Sequence, residues 1–394
     1  MIKISLLCSL LHESATFTLE NKEFIEKIEK ELGEKITLSK LDDYDCDLKL
    51  IFIASGGSEG IFLDNLNKLK PPYYLLTSGA NNSLAASLEI LTYLNLNNLS
   101  GEVLHGDAFY IASRIKELLN ARNKELERLG VIGAPSDWLI SSIPSVKTID
   151  KFGIELVDIS LDEVLDIYNK LNDSEISFKE QFDKAELKKA NKMYYALKEI
   201  IKKYDLVGLT IRCFDLLTSI KTTSCLALAL LNEEGFIATC EGDIASMISM
   251  YLVKKYFNQS SFQANPARID VENKKMVLCH CTLPLDMVTS YKFDTHFESG
   301  IGVAIKGELK EEDVTIFRLS SNLHDYFIAE GKIIRNLNEA SLCRSQIEVE
   351  FRDDISSLLK KPCGNHHIVF YGKHKDELIK ILEKEAKWFC FFFS

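Results

Sequence analysis

No apolar run in this chain approaches the roughly 18 residues needed to cross a bilayer. The opening Met1-Ile2-Lys3-Ile4-Ser5-Leu6-Leu7-Cys8 is too short and too strand-like for a signal peptide. Basic charge is in deficit: 47 lysines and arginines face 58 aspartates and glutamates, for a net charge of -11. That balance argues against a nucleic-acid partner, which needs a basic footprint, but leaves room for a small sugar or a divalent cation. Disulfide spacing is missing as well. Ten cysteines occur, without a CxxC pair, and most sit in apolar runs where a free thiol acts as a small hydrophobe. A cytoplasmic location and no membrane contact are the expectation. There is no GxGxxG, no P-loop, no internal repeat and no low-complexity stretch. The terminal Trp388-Phe389-Cys390-Phe391-Phe392-Phe393 is expected to pack on the body of the protein or on a neighbouring subunit.

The chain is rich enough in apolar residues to bury more than one core. At 394 residues, 46% hydrophobic and 27% charged, it reads as a soluble globular protein of two or three domains. The first hundred residues alternate short apolar runs (2–7, 35–38, 48–54, 73–77, 102–104) with helical patterns (23–32, 83–94). Such alternation predicts a parallel sheet covered on both faces. Two runs end in Ser55-Gly56-Gly57-Ser58-Glu59-Gly60 and Ser78-Gly79-Ala80-Asn81-Asn82, turns of the kind found where open α/β sheets bind ligands. A charged helix over 107–129 leads to Gly130-Val131-Ile132-Gly133-Ala134-Pro135, the start of a second α/β unit that a helix over 244–257 closes. From residue 262 the texture changes to short alternating runs with frequent turns, which predicts an antiparallel barrel or sandwich before a final helix at 375–388.

Histidine is scarce and unevenly placed. Of eight, six lie beyond residue 279: His280, His296, His324, His366, His367 and His374. Imidazole is the commonest metal ligand, so the clustering points to a site in this part of the chain. In Val277-Leu278-Cys279-His280-Cys281-Thr282, strand alternation sends both cysteines to one face and His280 to the other. In Asn365-His366-His367 only one imidazole can face a given site. Thr239-Cys240-Glu241-Gly242-Asp243 lies between a strand and a helix, where carboxylates can ligate a cation or move a proton. Asp243 also reads as the N-cap of that helix. Glu241, His280 and His366 together form a mixed oxygen and nitrogen set that suits Mn²⁺ and also admits Zn²⁺, Co²⁺ or Fe²⁺.

These segments carry a resemblance. Gly56-Gly57-Ser58-Glu59-Gly60, Asn82-Ser83-Leu84-Ala85-Ala86, Arg212-Cys213-Phe214-Asp215, Cys240-Glu241-Gly242-Asp243, Ala264-Asn265-Pro266-Ala267-Arg268, His280-Cys281-Thr282 and Gly364-Asn365-His366-His367 follow one another in order from about residue 50 to 375. In this the chain resembles the L-fucose isomerase and L-arabinose isomerase superfamily, aldose–ketose isomerases, and within it a shorter fucose isomerase-like branch. The resemblance implies two Rossmann-like α/β domains (1–127 and 128–258) and a C-terminal antiparallel β-barrel domain with a final helix (259–394). It implies Glu241, His280 and His366 as Mn²⁺ ligands, with Glu241 also in proton transfer. Arg212, Asp215, Asp243, Arg268 and Asn365 become candidate sugar contacts. A closed homo-oligomer, trimer or hexamer, is expected too.

One departure stands out. The second catalytic carboxylate of the family falls on Asn265, whose amide can offer an oxygen to a metal but cannot shuttle a proton. Glu241 then acts alone, or Asp243 or Asp270 substitutes, or isomerisation has been lost. The expected function is metal-dependent isomerisation of a pentose, a 6-deoxyhexose or a related sugar. A non-catalytic sugar-binding relative and a metal-dependent epimerase or lyase are the alternatives.

Overall fold

The structure, a computed structural model, describes residues 1–9, 19–97, 99–122, 126–142, 148–149, 152–172, 178 and 180–386. The apolar segment from Trp388 therefore lies outside the described residues. The chain divides into two compact units, one of residues 1–125, 150–153 and 382–394, the other of 126–149 and 154–381.

In the first unit, β1 (Ile2–Leu7), β2 (Ile36–Leu38), β3 (Leu48–Ile53), β4 (Tyr73–Leu76) and β5 (Gly101–Leu104) form a parallel sheet of order β2-β1-β3-β4-β5. They alternate with α1 (Leu19–Leu32), α2 (Glu59–Asp64), α3 (Ser83–Leu96) and α4 (Ala108–Arg122). Every residue of the central β3 is buried, the unbroken apolar pattern of a parallel strand covered on both faces. Gly56 N–H donates to the Asn81 carbonyl at 2.7 Å, which ties together the turns that follow β3 and β4. These two turns lie at the carboxyl edge of the sheet, as their sequences predict.

The second unit opens with another α/β layer. Its strands are β6 (Glu127–Ile132), β7 (Thr148–Ile149), β8 (Ile154–Ile159), β9 (Leu206–Ile211) and β10 (Ile237–Thr239), ordered β10-β9-β6-β8-β7. All neighbours are parallel except the antiparallel edge strand β7. The helices are α5 (Leu161–Lys170), α6 (Lys184–Tyr204), α7 (Phe214–Ser219), α8 (Cys225–Glu233) and α9 (Ile244–Phe257). The chain then forms β11 (Phe262–Asp270), β12 (Lys275–His280), β13 (Val288–Asp294), β14 (Ala304–Leu309), β15 (Asp313–Leu319), β16 (Tyr326–Asn336), β17 (Ser345–Phe351) and β18 (His367–Tyr371), before α10 (Lys375–Ala386). Six of these strands close an antiparallel barrel, β11-β12-β17-β16-β15-β18, in which β18 returns to pair with β11. Not every short run after residue 262 joins the barrel: β14 pairs with β13 in a separate hairpin.

One apolar core joins the sheet to the barrel, from Ile132, Leu197 and Leu209 through Leu226 to Phe262, Leu278, Ile316 and Val349. This continuity fixes the carboxyl end of β10 against the barrel strands. The helix expected over 107–129 ends early, because α4 stops at Arg122 and β6 begins at Glu127. Glu127-Arg128-Leu129 suits a helix, but Leu129 is fully buried and β6 pairs with both β8 and β9. That tertiary pairing outweighs a propensity difference of a few tenths of a kcal/mol, roughly. The nine described cysteines are free thiols. Among the described residues no helix is long and apolar enough to cross a membrane.

Candidate functional site

Glu241 sits in a turn built to hold it. The residue has φ +65°, in the left-handed region that a non-glycine residue enters at a cost of about 1–3 kcal/mol. Gly242 follows at φ +70°, where an added Cβ would lie 2.7 Å from the Pro135 Cα, so only glycine fits. The turn is held on several sides: Gly242 N–H donates to the Ile211 carbonyl at 2.9 Å, and Ser136 N–H to the Glu241 carbonyl at 2.9 Å. Gln263 on β11 accepts from Cys240 N–H at 2.8 Å. Four hydrogen-bonded or packed neighbours thus aim one carboxylate.

Two imidazoles meet it. His280 ends β12 in phase with the buried Met276 and Leu278, and its Nδ1 lies 3.2 Å from Thr282 Oγ1. Cys279 and Cys281, on the opposite face, both engage Cys343, as strand alternation requires. His366 immediately precedes β18, is fully buried, and lies with Nδ1 2.7 Å from Asp243 Oδ2. Both rings therefore turn Nε2 toward the same oxygen. Glu241 Oε1 is 3.7 Å from His280 Nε2 and 3.5 Å from His366 Nε2. The three ligand atoms lie within 4.8 Å of one another. His366 Nε2 is buried without a hydrogen-bond partner. A buried orphan nitrogen facing a second imidazole and a carboxylate fits a divalent cation.

The electrostatics agree. Burial pushes the Glu241 carboxyl up, but His280 and His366 more than offset it and hold the group below the usual carboxylate range. Burial pushes His366 down, yet Asp243 and Glu241 lift it to about 9 in the metal-free protein. A cation must therefore displace a proton from His366.

Asp243 does more than cap a helix. Its Oδ1 accepts from Ser246 N–H at 2.9 Å, the expected N-cap of α9. Its Oδ2 accepts from Arg318 Nη1 and Ser246 Oγ, both at 2.9 Å, besides facing His366. Arg318, on β15, is fully buried and also donates to Ser142 Oγ at 3.1 Å and to the Cys363 carbonyl at 3.2 Å. Gly364 makes room, since a Cβ there would come within 2.6 Å of the guanidinium. Burial raises the Asp243 carboxyl, but Arg318 and His366 hold it well below its ordinary value.

An aromatic wall stands beside the cluster. Trp138 Nε1–H donates to Glu241 Oε2 at 2.6 Å, and the indole packs edge-on to Phe214 with ring centroids 4.7 Å apart. Phe214 packs edge-on to His296 at 5.5 Å. Burial and the nearby His280 lower His296 to about 4, so it is neutral at pH 7.

The remaining candidates lie in different settings. Asn265 is half-buried on β11, opposite Cys279 in the ladder and on the same strand face as Gln263. Asp270 is exposed near the far end of that strand, bonded to Asn273 and about 15 Å along the chain from Asn265. It cannot replace a site carboxylate. Asp243 has no exposed surface, and both its oxygens are engaged, one of them against His366. Arg268 pairs with Glu339 at 2.7 Å while 54% exposed, and its partner is no member of the cluster. Arg212 pairs with Asp215 at 3.1 Å and Asp137 at 3.0 Å, beside the aromatic wall. Asn365 is exposed and accepts the His366 N–H at 2.8 Å. Sequence reasoning missed Trp138, Arg318 and Ser142. Trp138 had a faint signal as one of two tryptophans in the chain, in the segment after a strand end.

No family model matches the chain. The chain is 26% identical over 204 residues to a sulfoquinovose isomerase of Priestia aryabhattai, covering 48% of this chain and 46% of that protein. It is 25% identical over 205 residues to the sulfoquinovose isomerase of Clostridium sp. (strain MSTE9), covering 49% and 45%. For the sulfoquinovose isomerase of Alkalicoccus urumqiensis the values are 24% over 238 residues, 56% and 52%. The chain thus spans about half the length of the curated relatives it matches. At this low identity they support its assignment to the L-fucose/L-arabinose isomerase superfamily.

Two outcomes follow from the charge arrangement. Asp243→Asn leaves Arg318 buried beside a neutral amide, so urea unfolding at pH 7 should show a loss of about 3–5 kcal/mol. Because His366 is raised in the folded state, its contribution to metal-free stability is full below about pH 6.5 and is lost as pH rises through about 9. Glu241, depressed on folding, contributes above about pH 4.5. Metal affinity has the opposite slope: chelator-competition titrations between pH 6.5 and 8 should show it rising about tenfold per unit. A flat affinity would exclude His366 as a ligand.

Proposed function

We propose that the protein is a metal-dependent aldose–ketose isomerase of a pentose, a 6-deoxyhexose or a related modified sugar. The observation that carries this reading is the convergence of Glu241 Oε1 with the two Nε2 atoms of His280 and His366 in a buried pocket of mixed donors. The sulfoquinovose isomerases it resembles support the reaction class and add sulfoquinovose to the candidate substrates.

Glu241, His280 and His366 would hold the cation, with Mn²⁺ the leading choice. When bound, the cation supplies Lewis acidity that polarises a sugar carbonyl. Glu241 removes the proton from carbon 2 of the aldose, leaving an ene-diolate; the carbon-2 hydroxyl proton passes to the carbon-1 oxygen, and Glu241 returns its own proton to carbon 1 to give the ketose. Asp243 fixes His366 through Nδ1, which leaves Nε2 free for ligation. His296, uncharged at pH 7, can offer a neutral ring nitrogen to a sugar hydroxyl. Among the polar candidates, the half-buried Asp215 and the exposed Asn365 are the ones offered to a sugar. The reaction needs one base working on both carbons, because Asn265 carries no transferable proton. We expect the active form to be a homo-oligomer.

Asn265 also favours one second reading, a sugar-binding relative that keeps the pocket without turnover. Incubation in D₂O with Mn²⁺ and a panel of aldoses and ketoses, sulfoquinovose included, separates the two. Deuterium at carbon 1 or 2 with ketose formed supports the isomerase; sugar-dependent thermal protection without label supports the binder. In the isomerase, Glu241→Gln should lower kcat at least about 100-fold at saturating Mn²⁺. Full activity in that variant, with Mn²⁺ bound, would sink the assignment of the base.

A further inference from the structure

We infer that Trp138 is the positioning residue of the Glu241 carboxylate: its indole N–H sets which carboxylate oxygen faces the cation and which faces the sugar. This rests on the reading of Glu241 as both ligand and base. The two residues are 103 positions apart, and their 2.6 Å hydrogen bond is a direct link between the segment after β6 and the turn after β10.

A carboxylate at the end of a side chain turns readily, because its last torsion is broad and two-fold. Left alone, Glu241 could present either oxygen, or both at once, to a cation. The site breaks that equivalence. Oε1 faces the two imidazoles, and Oε2 accepts from Trp138. Each carboxylate oxygen offers two lone-pair directions, so Oε2 keeps one for a proton while the indole takes the other. In the proposed reaction the carbon-bound proton passes to Oε2, the C–H electron pair enters the ene-diol, and the same proton returns to the neighbouring carbon.

The indole is itself fixed. It packs edge-on to Phe214 at an interplanar angle of 80°, and Phe214 stands on His296 at 84°. Its segment is pinned to the Glu241 turn by Ser136 N–H to the Glu241 carbonyl and by the contact of Gly242 with Pro135. Donor and acceptor are therefore held by one connected set of contacts. Core filling does not explain the residue: Trp138 is 51% exposed, whereas Glu241 is 8% exposed and His366 not at all. A half-exposed ring bonded to a buried carboxylate is placed by its N–H. That exposure also means its replacement need not collapse the core.

The chain has two tryptophans, so Trp388→Phe leaves Trp138 as the single indole. In this ¹⁵N-labelled, metal-free protein the Trp138 N–H resonance should lie downfield and exchange slowly. Glu241→Gln should move it upfield and speed its exchange. Mn²⁺ should broaden it and quench the indole fluorescence, and Glu241→Ala should abolish the quenching. Trp138→Phe keeps an aromatic ring against Phe214 but removes the donor. It should lower kcat about tenfold or more while KM changes by less than about twofold. An indole resonance unmoved by Glu241→Gln would overturn the proposal. So would a folded Trp138→Phe protein with undiminished kcat. If the parent turns over no sugar, the isomerase reading fails, and the resonance alone then decides whether Trp138 holds Glu241. If Trp138→Phe does not fold, the Glu241→Gln comparison in the parent ring still gives that answer.

Discussion

The charge of Asp243 has no water to stabilise it, so the protein must supply every partner. A buried carboxylate left unpaired would be neutralised or would unfold the site. Here four groups meet it: the amide and hydroxyl of Ser246, the guanidinium of Arg318 and the imidazole of His366. They come from helix α9, barrel strand β15 and the segment entering β18. One charge thus ties the last helix of the α/β layer to both neighbours in the barrel. The orientation of His366 is a consequence, and with it the direction of its Nε2, a buried nitrogen that lacks a hydrogen-bond partner.

Glu241 shows the complementary device, in which the backbone rather than the side chain is constrained. Its left-handed conformation is unfavourable by itself and persists because Ser136, Ile211, Gln263 and Pro135 surround the turn. Strain of this kind needs a rigid support. The core shared by sheet and barrel provides it and supports the spacing of the carboxylate and the two imidazoles.

Substituting an amide at Asn265 shifts the chemical burden. With Asp270 far along the strand and Asp243 committed to Arg318 and His366, the proposed isomerisation rests on Glu241 as its base. Single-base isomerisation asks more of that carboxylate, since one oxygen must serve two carbons in turn. Precise aim of its two oxygens therefore matters more than it would in a site with two carboxylates.

The sequence by itself determined the alternation of strands and helices, the change to barrel texture after residue 262, and the three cluster residues Glu241, His280 and His366. Periodicity, turn chemistry and the scarcity of histidine are local properties, readable without knowing what lies opposite. It also separated His280 from its flanking cysteines, because strand alternation is fixed by backbone geometry. It misjudged the stretch from 127 to 129, where pairing with two strands overrides helical preference. Only the tertiary structure decided that Asp243 faces His366 and Arg318, that Arg268 turns to Glu339, and that Trp138 reaches Glu241. Each of those pairs joins residues about 70 to 120 positions apart, and such contacts exist only once distant strands have paired and packed. No local pattern in a chain encodes which distant side chain will share its burial.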